Sequence, residues 1–357
     1  MGSWLTAEFF QIIVAAFFVG IIVGLTGMGG GALMTPALIF LGVGGASTVV
    51  TADLTAAAIY KSGGAITHAR KGKPNWTLAM WLIVGSVPFA LAGPWVLHRA
   101  VGDSGDLDMV LKKCIGFALL FAAATYALRL VINLRRIQRG GPVADSDPRI
   151  RPLPTIAIGA MGGLLVGITS VGSGSVIMIS LVMLYPGLSA LRLVGTDLVQ
   201  AVPLVIAAAI SNIALNGLDW HILVPLVIGS LPGTVLGSRI APSVPQSFIR
   251  RGIVIVLTMS GLALLDKAGW GPLGSGEDDT HPVFIALVGL GMVIVLPFVW
   301  GLIRRSQGMA MFGAPTVADL EGDPAEPAAE PVPLGSATGS AGTVAGSGSG
   351  DDESQRP

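Results

Sequence analysis

Gly24-Leu25-Thr26-Gly27-Met28-Gly29-Gly30-Gly31 interrupts a long apolar run, and it returns in altered form as Gly167-Ile168-Thr169-Ser170-Val171-Gly172-Ser173-Gly174. Each copy sits between segments apolar enough to lie in a membrane. Bare N–H and C=O groups are costly in hydrocarbon, so non-helical backbone at membrane depth survives only where protein or a polar cavity surrounds it. Two such breaks in one chain point to a binding site between them.

The copies are held in register by more than glycine. Gly24 and Gly167 stand 143 positions apart, and Asp53 and Asp197 stand 144 apart. At those offsets Thr26 matches Thr169, Gly29 matches Gly172, Gly31 matches Gly174, and Trp76 matches Trp220. Gly85-Ser86, Pro88 and Gly93 likewise match Gly229-Ser230, Pro232 and Gly237. Residues 8–132 and 155–268 therefore read as two halves of one fold.

Composition sets the class. The chain is 52% hydrophobic and only 12% charged, with a mean hydropathy of +0.76, which fits a polytopic helical membrane protein and not a soluble enzyme of this length. Its one cysteine, Cys114, leaves no internal disulfide and reads as a small apolar residue in a helix. The zero net charge conceals an uneven distribution: residues 306–357 carry eight acids against Arg356, so the body is basic.

Met1 to Glu8 is too poor in Lys and Arg for a secretory leader, so the first apolar segment is expected to be retained. The apolar pattern predicts a helix at Phe9–Gly24, a short segment at Leu33–Val43, and spans at Ala46–His68, Trp76–Leu97 and Val110–Ile132. The second half repeats this as Thr155–Gly167, Val176–Tyr185, Leu193–Leu215, Trp220–Ile240 and Gly252–Leu265, and an unmatched span follows at Pro282–Ile303. A full crossing needs about 20 residues, so the segments after the breaks are half-helices or thin spans. The expected plan is a first transmembrane repeat (1–132), a cytoplasmic basic linker (133–154), a second repeat (155–268), an extra span (269–305) and a disordered acidic tail (306–357).

Short-loop Lys and Arg set the orientation. Arg70, Lys71 and Lys73, the 133–154 linker, Arg239, Arg250 and Arg251, and Arg304 and Arg305 belong in the cytoplasm; loops 98–109, 216–219 and 266–280 are acidic or nearly neutral and belong outside. Lys112 and Lys113 dissent, lying near an outer helix end. The loop before Trp76 is then inside and the loop before Trp220 outside, which makes the repeats inverted. Five passes per half satisfy that inversion, with the N-terminus external and the tail cytoplasmic. Inverted repeats with broken helices near the midplane are the architecture of secondary transporters that work by alternating access.

Several motifs together resemble the TauE/SafE family of sulfite and organosulfonate exporters. They are the glycine break, Thr51-Ala52-Asp53-Leu54, Lys61-Ser62-Gly63-Gly64, His68-Ala69-Arg70-Lys71-Gly72, Trp76 and Gly85-Ser86-Val87-Pro88, followed by Gly195-Thr196-Asp197-Leu198 and Gly229-Ser230-Leu231-Pro232-Gly233. The resemblance covers roughly residues 10–265 and implies transport of a small anion such as sulfite or an organosulfonate. A permease or channel for another small anion, or a membrane scaffold signalling through its acidic tail, stays open beside it.

The residues themselves suit an anion. A helix opening just after Gly29, Gly30 and Gly31, with Pro36 near its start, presents free N–H groups and the positive end of its dipole to the break. Ser173, Gly174 and Ser175 open the partner helix with added hydroxyls, and Thr26 and Thr169 either donate to substrate or bond to their own helices. Glycines that only let helices pack closely are the plainer reading.

Lys61 is an ammonium inside a span, which costs about 2.5–3.5 kcal/mol to insert and usually marks a substrate path or an ion pair. Its repeat mate is Val205, so it breaks the symmetry with a charge suited to an anion. Asp53 and Asp197 are matched intramembrane carboxylates, candidates for an ion pair between Lys61 and Asp197 or for carriage of a coupling proton. The partners so implied are a small anion, the bilayer, and a coupling proton or sodium ion. No nucleic-acid, cofactor, metal or enzyme motif is found, and no oligomeric state is implied.

Overall fold

The structure is a computed structural model that describes residues 7–26, 30–71, 74–102, 106–138, 149–172, 174–188, 190–243, 246–270 and 282–306. Among them run α1 (Ala7–Thr26), α2 (Gly31–Leu41), α3 (Ala46–Lys71), α4 (Trp76–Val101), α5 (Asp106–Gln138) and α6 (Pro152–Thr169). Then come α7 (Val176–Leu184), α8 (Ala190–Asn216), α9 (Trp220–Ile240), α10 (Gln246–Lys267) and α11 (Pro282–Ser306). The described residues form no strand. Five helices are long and apolar enough to cross a membrane: α1, α4, α6, α9 and the Arg192–Asn216 part of α8. The protein is an all-α polytopic membrane protein.

Local chemistry explains the boundaries. α4 and α9 each open with a tryptophan directly after a capping residue: Asn75 accepts the N–H of Leu78 at 3.0 Å, and its repeat mate Asp219 accepts that of His221 at 2.9 Å. α5 extends beyond the apolar stretch Val110–Ile132 at both ends, and α10 begins before Gly252. Hydropathy marks only the lipid-embedded part of a helix, and polar turns continue it past the membrane surface. Residues 139–148 of the expected linker and 307–357 of the expected tail lie outside the described residues.

The outward surface is apolar. Along α1 the side chains of Phe10, Val14, Phe18 and Ile22 recur at four-residue spacing and are exposed, whereas Ile12, Ala16, Gly20 and Val23 are buried. Large residues outward and small ones inward is what a lipid-facing helix requires, because hydrocarbon supplies no hydrophobic drive between helices and close backbone packing must replace it.

That packing runs between the halves, chiefly α1 along α9 and α4 along α6. A Cβ on Gly20 would stand 2.7 Å from the carbonyl of Ser230, and one on Gly24 would strike the carbonyl of Thr234. In the other seam Gly163 and Gly167, the mates of Gly20 and Gly24, lie just as closely against the carbonyls of Ser86 and Ala90, the mates of Ser230 and Thr234. The two seams are copies of one interface. Contacts advance from Ile13 with Gly229 to Ile21 with Gly237, and from Ile156 with Gly85 to Leu164 with Gly93, so the helices in each seam run in the same direction. α8 also follows α4, with Thr196 beside Asn75 and Ser211 beside Leu91.

α3 differs from the five apolar helices. It carries Thr51, Asp53, Thr55, Lys61 and Ser62, and the three hydroxyls fold back onto carbonyls of its own helix. Protein covers its first half: every residue from Val49 to Leu54 is buried, as are Ala56 and Ala57. At its start, Asp108 of α5 accepts the N–H of Ala46 at 2.5 Å, Gly44 adjoins Ile222 of α9, and Lys267 of α10 donates to the carbonyl of Ile39 at 3.4 Å. Asp108, the start of α9 and Lys267, which border the acidic and neutral loops, thus share one end of the bundle. Lys112, which dissented from the charge pattern, is ion-paired with Asp108 at 2.5 Å.

Candidate functional site

The first break follows Thr26, whose hydroxyl donates to the carbonyl of Val23 at 3.2 Å. Residues 27–29, Gly29 among them, are outside the described residues. Gly30 donates its N–H to the hydroxyl of Tyr60 at 2.8 Å, and its carbonyl accepts from Leu33 and Met34. α2 then opens at Gly31, so the amides of Gly31 and Ala32 have no acceptor within the helix.

The second break is built differently. Thr169 ends α6 with its hydroxyl on the carbonyl of Leu165 at 2.6 Å while accepting the N–H of Val171 at 3.2 Å. Ser170 turns the chain at φ 61°, a left-handed conformation unusual for a residue with a side chain, and Gly172 follows at φ 113°. Asn212 of α8 donates to the carbonyl of Gly167 at 2.9 Å, satisfying one of the carbonyls that a helix end leaves open. Ser173 is outside the described residues; Gly174 and Ser175 lead into α7, and Ser175 makes no side-chain cap.

Asp53 lies between the breaks, fully buried. Its Oδ2 accepts from the hydroxyl of Thr35 at 2.6 Å and from that of Ser170 at 2.8 Å, and its Oδ1 has no hydrogen-bond partner. Gly31 presses against the same serine, and a Cβ there would strike the carbonyl of Ser170. The two breaks therefore meet, with Thr35 and Gly31 from the first, Ser170 from the second, and Asp53 beneath them.

In this conformation the space beside Gly30 and Gly31 holds Tyr60 and Ser170. Thr26 and Thr169 bond within their own helices, the plainer of their two readings. Lys61, next to Tyr60 and half-buried, is within electrostatic range of Asp197 and Asp53. Asp197 is buried and accepts from Gln200 at 2.9 Å. Thr35, Tyr60, Ser170 and Asn212 complete the arrangement and went unread in the sequence. Among them only Tyr60 carried a signal, as one of the chain's three tyrosines placed beside an intramembrane lysine. At the end of the bundle where α3 begins, a recess lined by Ser47, His98, Ile168, Asn212 and Asn216 reaches the second break. No grouping that could hold a metal ion occurs among the described residues.

The family model described as "Sulfite exporter TauE/SafE" matches residues 12–264, both halves of the repeat. The chain belongs to the TauE/SafE family. Among its relatives, the probable membrane transporter protein YjnA of Bacillus subtilis is 35% identical over 258 residues, covering 71% of this chain and 99% of that protein. The probable membrane transporter protein YdhB of the same organism is 27% identical over 255 residues, again 71% and 99%. The probable membrane transporter protein ORF9 of Sinorhizobium is 26% identical over 278 residues, 77% and 95%. No solved structure matches. This TauE/SafE member is a multi-pass membrane transporter, and α11 lies outside the family match.

Proposed function

We propose that this protein carries a small sulfur-containing anion, sulfite or an organosulfonate, across the cytoplasmic membrane by alternating access, with its C-terminal tail in the cytoplasm. The observation that carries this reading is the meeting of Gly31 and Ser170, which brings two helix breaks onto one polar cluster inside the bundle. Open amides at the first turn of α2, the hydroxyls of Thr35 and Ser170, and the ammonium of Lys61 are the donors an oxyanion requires.

Contact directions support the inverted arrangement of the halves. α9 turns back from α8 over residues 217–219, and α8 follows α4. α1, which follows α9, therefore opposes α4 and its companion α6. With α1 and α6 opposed, the halves offer two equivalent ways of opening the cluster, one to each side of the membrane. In the present conformation the recess at Asn212 and Asn216 approaches the cluster from the end assigned to the outside.

The test is calorimetric binding on detergent-purified protein with sulfite, thiosulfate, isethionate, sulfate and simple carboxylates. Sulfite or sulfonate binding that Lys61→Ala weakens at least tenfold, without lowering the unliganded melting temperature, is the expected result. Tighter binding of a carboxylate, or equal binding by the variant, would overturn the substrate class or the role of Lys61 respectively.

A further inference from the structure

Asp53 is out of place in an anion site. It sits at the junction of the two breaks with no exposed surface, and both hydroxyls that reach it converge on Oδ2, leaving Oδ1 bare. A buried ionised carboxylate needs a countercharge or a full set of donors. Its surroundings supply few. α2, which touches it through Thr35, and α6, which leads into Ser170, contain no titratable side chain in Gly31–Leu41 or Pro152–Thr169. α5 turns Asp108 and Lys112 toward each other at the start of α3, and the exposed His221 of α9 faces Asp219 at the same end. Among the described residues there remain Tyr60 and Lys61 on α3 itself and, on α8, Arg192 near its start and Asp197, which lies in range of the same lysine. One ammonium thus stands near two carboxylates, and an arriving anion adds a third negative charge competing for it.

We propose that Asp53 takes up a proton when an anion binds at the junction, so that anion and proton move together. This rests on the reading of the junction as an anion site. The proton comes from the aqueous phase and adds to the bare Oδ1, converting the carboxylate to a neutral acid while Oδ2 keeps both hydroxyl bonds. Lys61 stays protonated and turns its charge to the anion. The step balances with no other reactant: one anion and one proton enter together, and they leave together when the junction opens on the far side.

Thiosulfate and isethionate are suitable probes because neither changes protonation near neutral pH. Added to purified protein in weakly buffered solution with a pH indicator, each is expected to draw about one proton per anion bound, and wild-type affinity is expected to fall about tenfold per pH unit once Asp53 is ionised in the free protein. Asp53→Asn keeps the shape and an acceptor for Thr35 and Ser170; it is expected to bind with no proton uptake and little pH dependence. Wild-type binding without proton uptake, or uptake preserved in Asp53→Asn, would overturn the proposal and leave the anion site standing. Should neither probe bind, nor sulfite in the calorimetric panel, the substrate reading fails. Infrared difference spectra between acidic and alkaline buffer then decide the proton separately: a protonated-carboxyl band lost in Asp53→Asn supports it, and no such band overturns it. Ser170→Ala, which retains the carboxyl and removes one donor, is expected to shift the pH at which that band appears, a change that a purely structural role would not produce.

Discussion

The hydroxyl of Ser170, in the second half of the chain, donates at 2.8 Å to the carboxylate of Asp53, 117 residues earlier in the first half. The bond ties the end of α6 to the buried face of α3 at the point where the first break also arrives. Removing one donor from a buried carboxylate leaves it under-satisfied, at a cost of about 1–3 kcal/mol. Ser170 also holds φ at 61°, which strains any side chain.

Two substitutions separate those effects. Ser170→Ala loses the hydroxyl and keeps the strain, so its melting temperature in detergent should fall clearly below wild type. Ser170→Gly loses the hydroxyl and relieves the strain, recovering about 1 kcal/mol. A glycine variant no more stable than the alanine variant would show that backbone strain at this turn is not significant.

Much of the fold was legible because membrane helices announce themselves by length, and this chain punctuates them with glycine, proline and capping residues. The apolar stretch Trp220–Ile240 coincides with α9 at both ends, and in the structure Asp219 caps that helix while Arg239 lies in its last turn. The site was legible only in outline. Asp53, Lys61 and the breaks stood out by charge and by repetition, but Thr35 and Ser170 have Met178 and Gly27 at their matching positions, so comparing the halves drew attention away from them. Their contacts with Asp53 join residues 18 and 117 positions apart, and no local pattern encodes such a pairing.

The glycine seams should respond as equivalents. Gly20→Ala places a Cβ 2.7 Å from the carbonyl of Ser230, and Gly163→Ala drives one into the carbonyl of Ser86. Backbone cannot move aside as a flexible side chain can, so each substitution should cost about 1–3 kcal/mol through overpacking. Fluorescence-detected size exclusion after a heating series reads both. Destabilisation by one and tolerance of the other would contradict the equivalence of the seams.

Asp108 holds the start of α3 by accepting the N–H of Ala46, and it anchors Lys112. Asp108→Ala removes an N-terminal cap worth about 0.5–2 kcal/mol, whereas Asp108→Asn keeps an acceptor and gives up mainly charge. The alanine variant should melt lower than the asparagine variant, with anion affinity unchanged in both because the side chain bonds to Ala46 and Lys112 and to no residue of the junction. A large change in affinity in either variant would mean that the start of α3 moves during binding.

Tyr60 and Gly30 offer a test of how the first break is held. The N–H of Gly30 rests on the Tyr60 hydroxyl at 2.8 Å, and a Cβ on Gly30 would collide with that same oxygen. The backbone of Gly30 is helical, φ −61° and ψ −29°, so alanine fits the dihedrals and fails only on space. Tyr60→Phe removes the obstacle and the bond together, leaving the next ring atom 3.2 Å from the new Cβ. Each single variant should therefore lose stability, Gly30→Ala through the clash and Tyr60→Phe by about 1–3 kcal/mol for an unpaired buried amide. The double variant should lose less than the sum, with a coupling of about 0.5–3 kcal/mol, because the oxygen that Gly30→Ala strikes is gone. Thermal or denaturant melts of the four proteins measure that coupling, and strict additivity would mean that the hydroxyl does not sit against Gly30 in the protein's resting conformation.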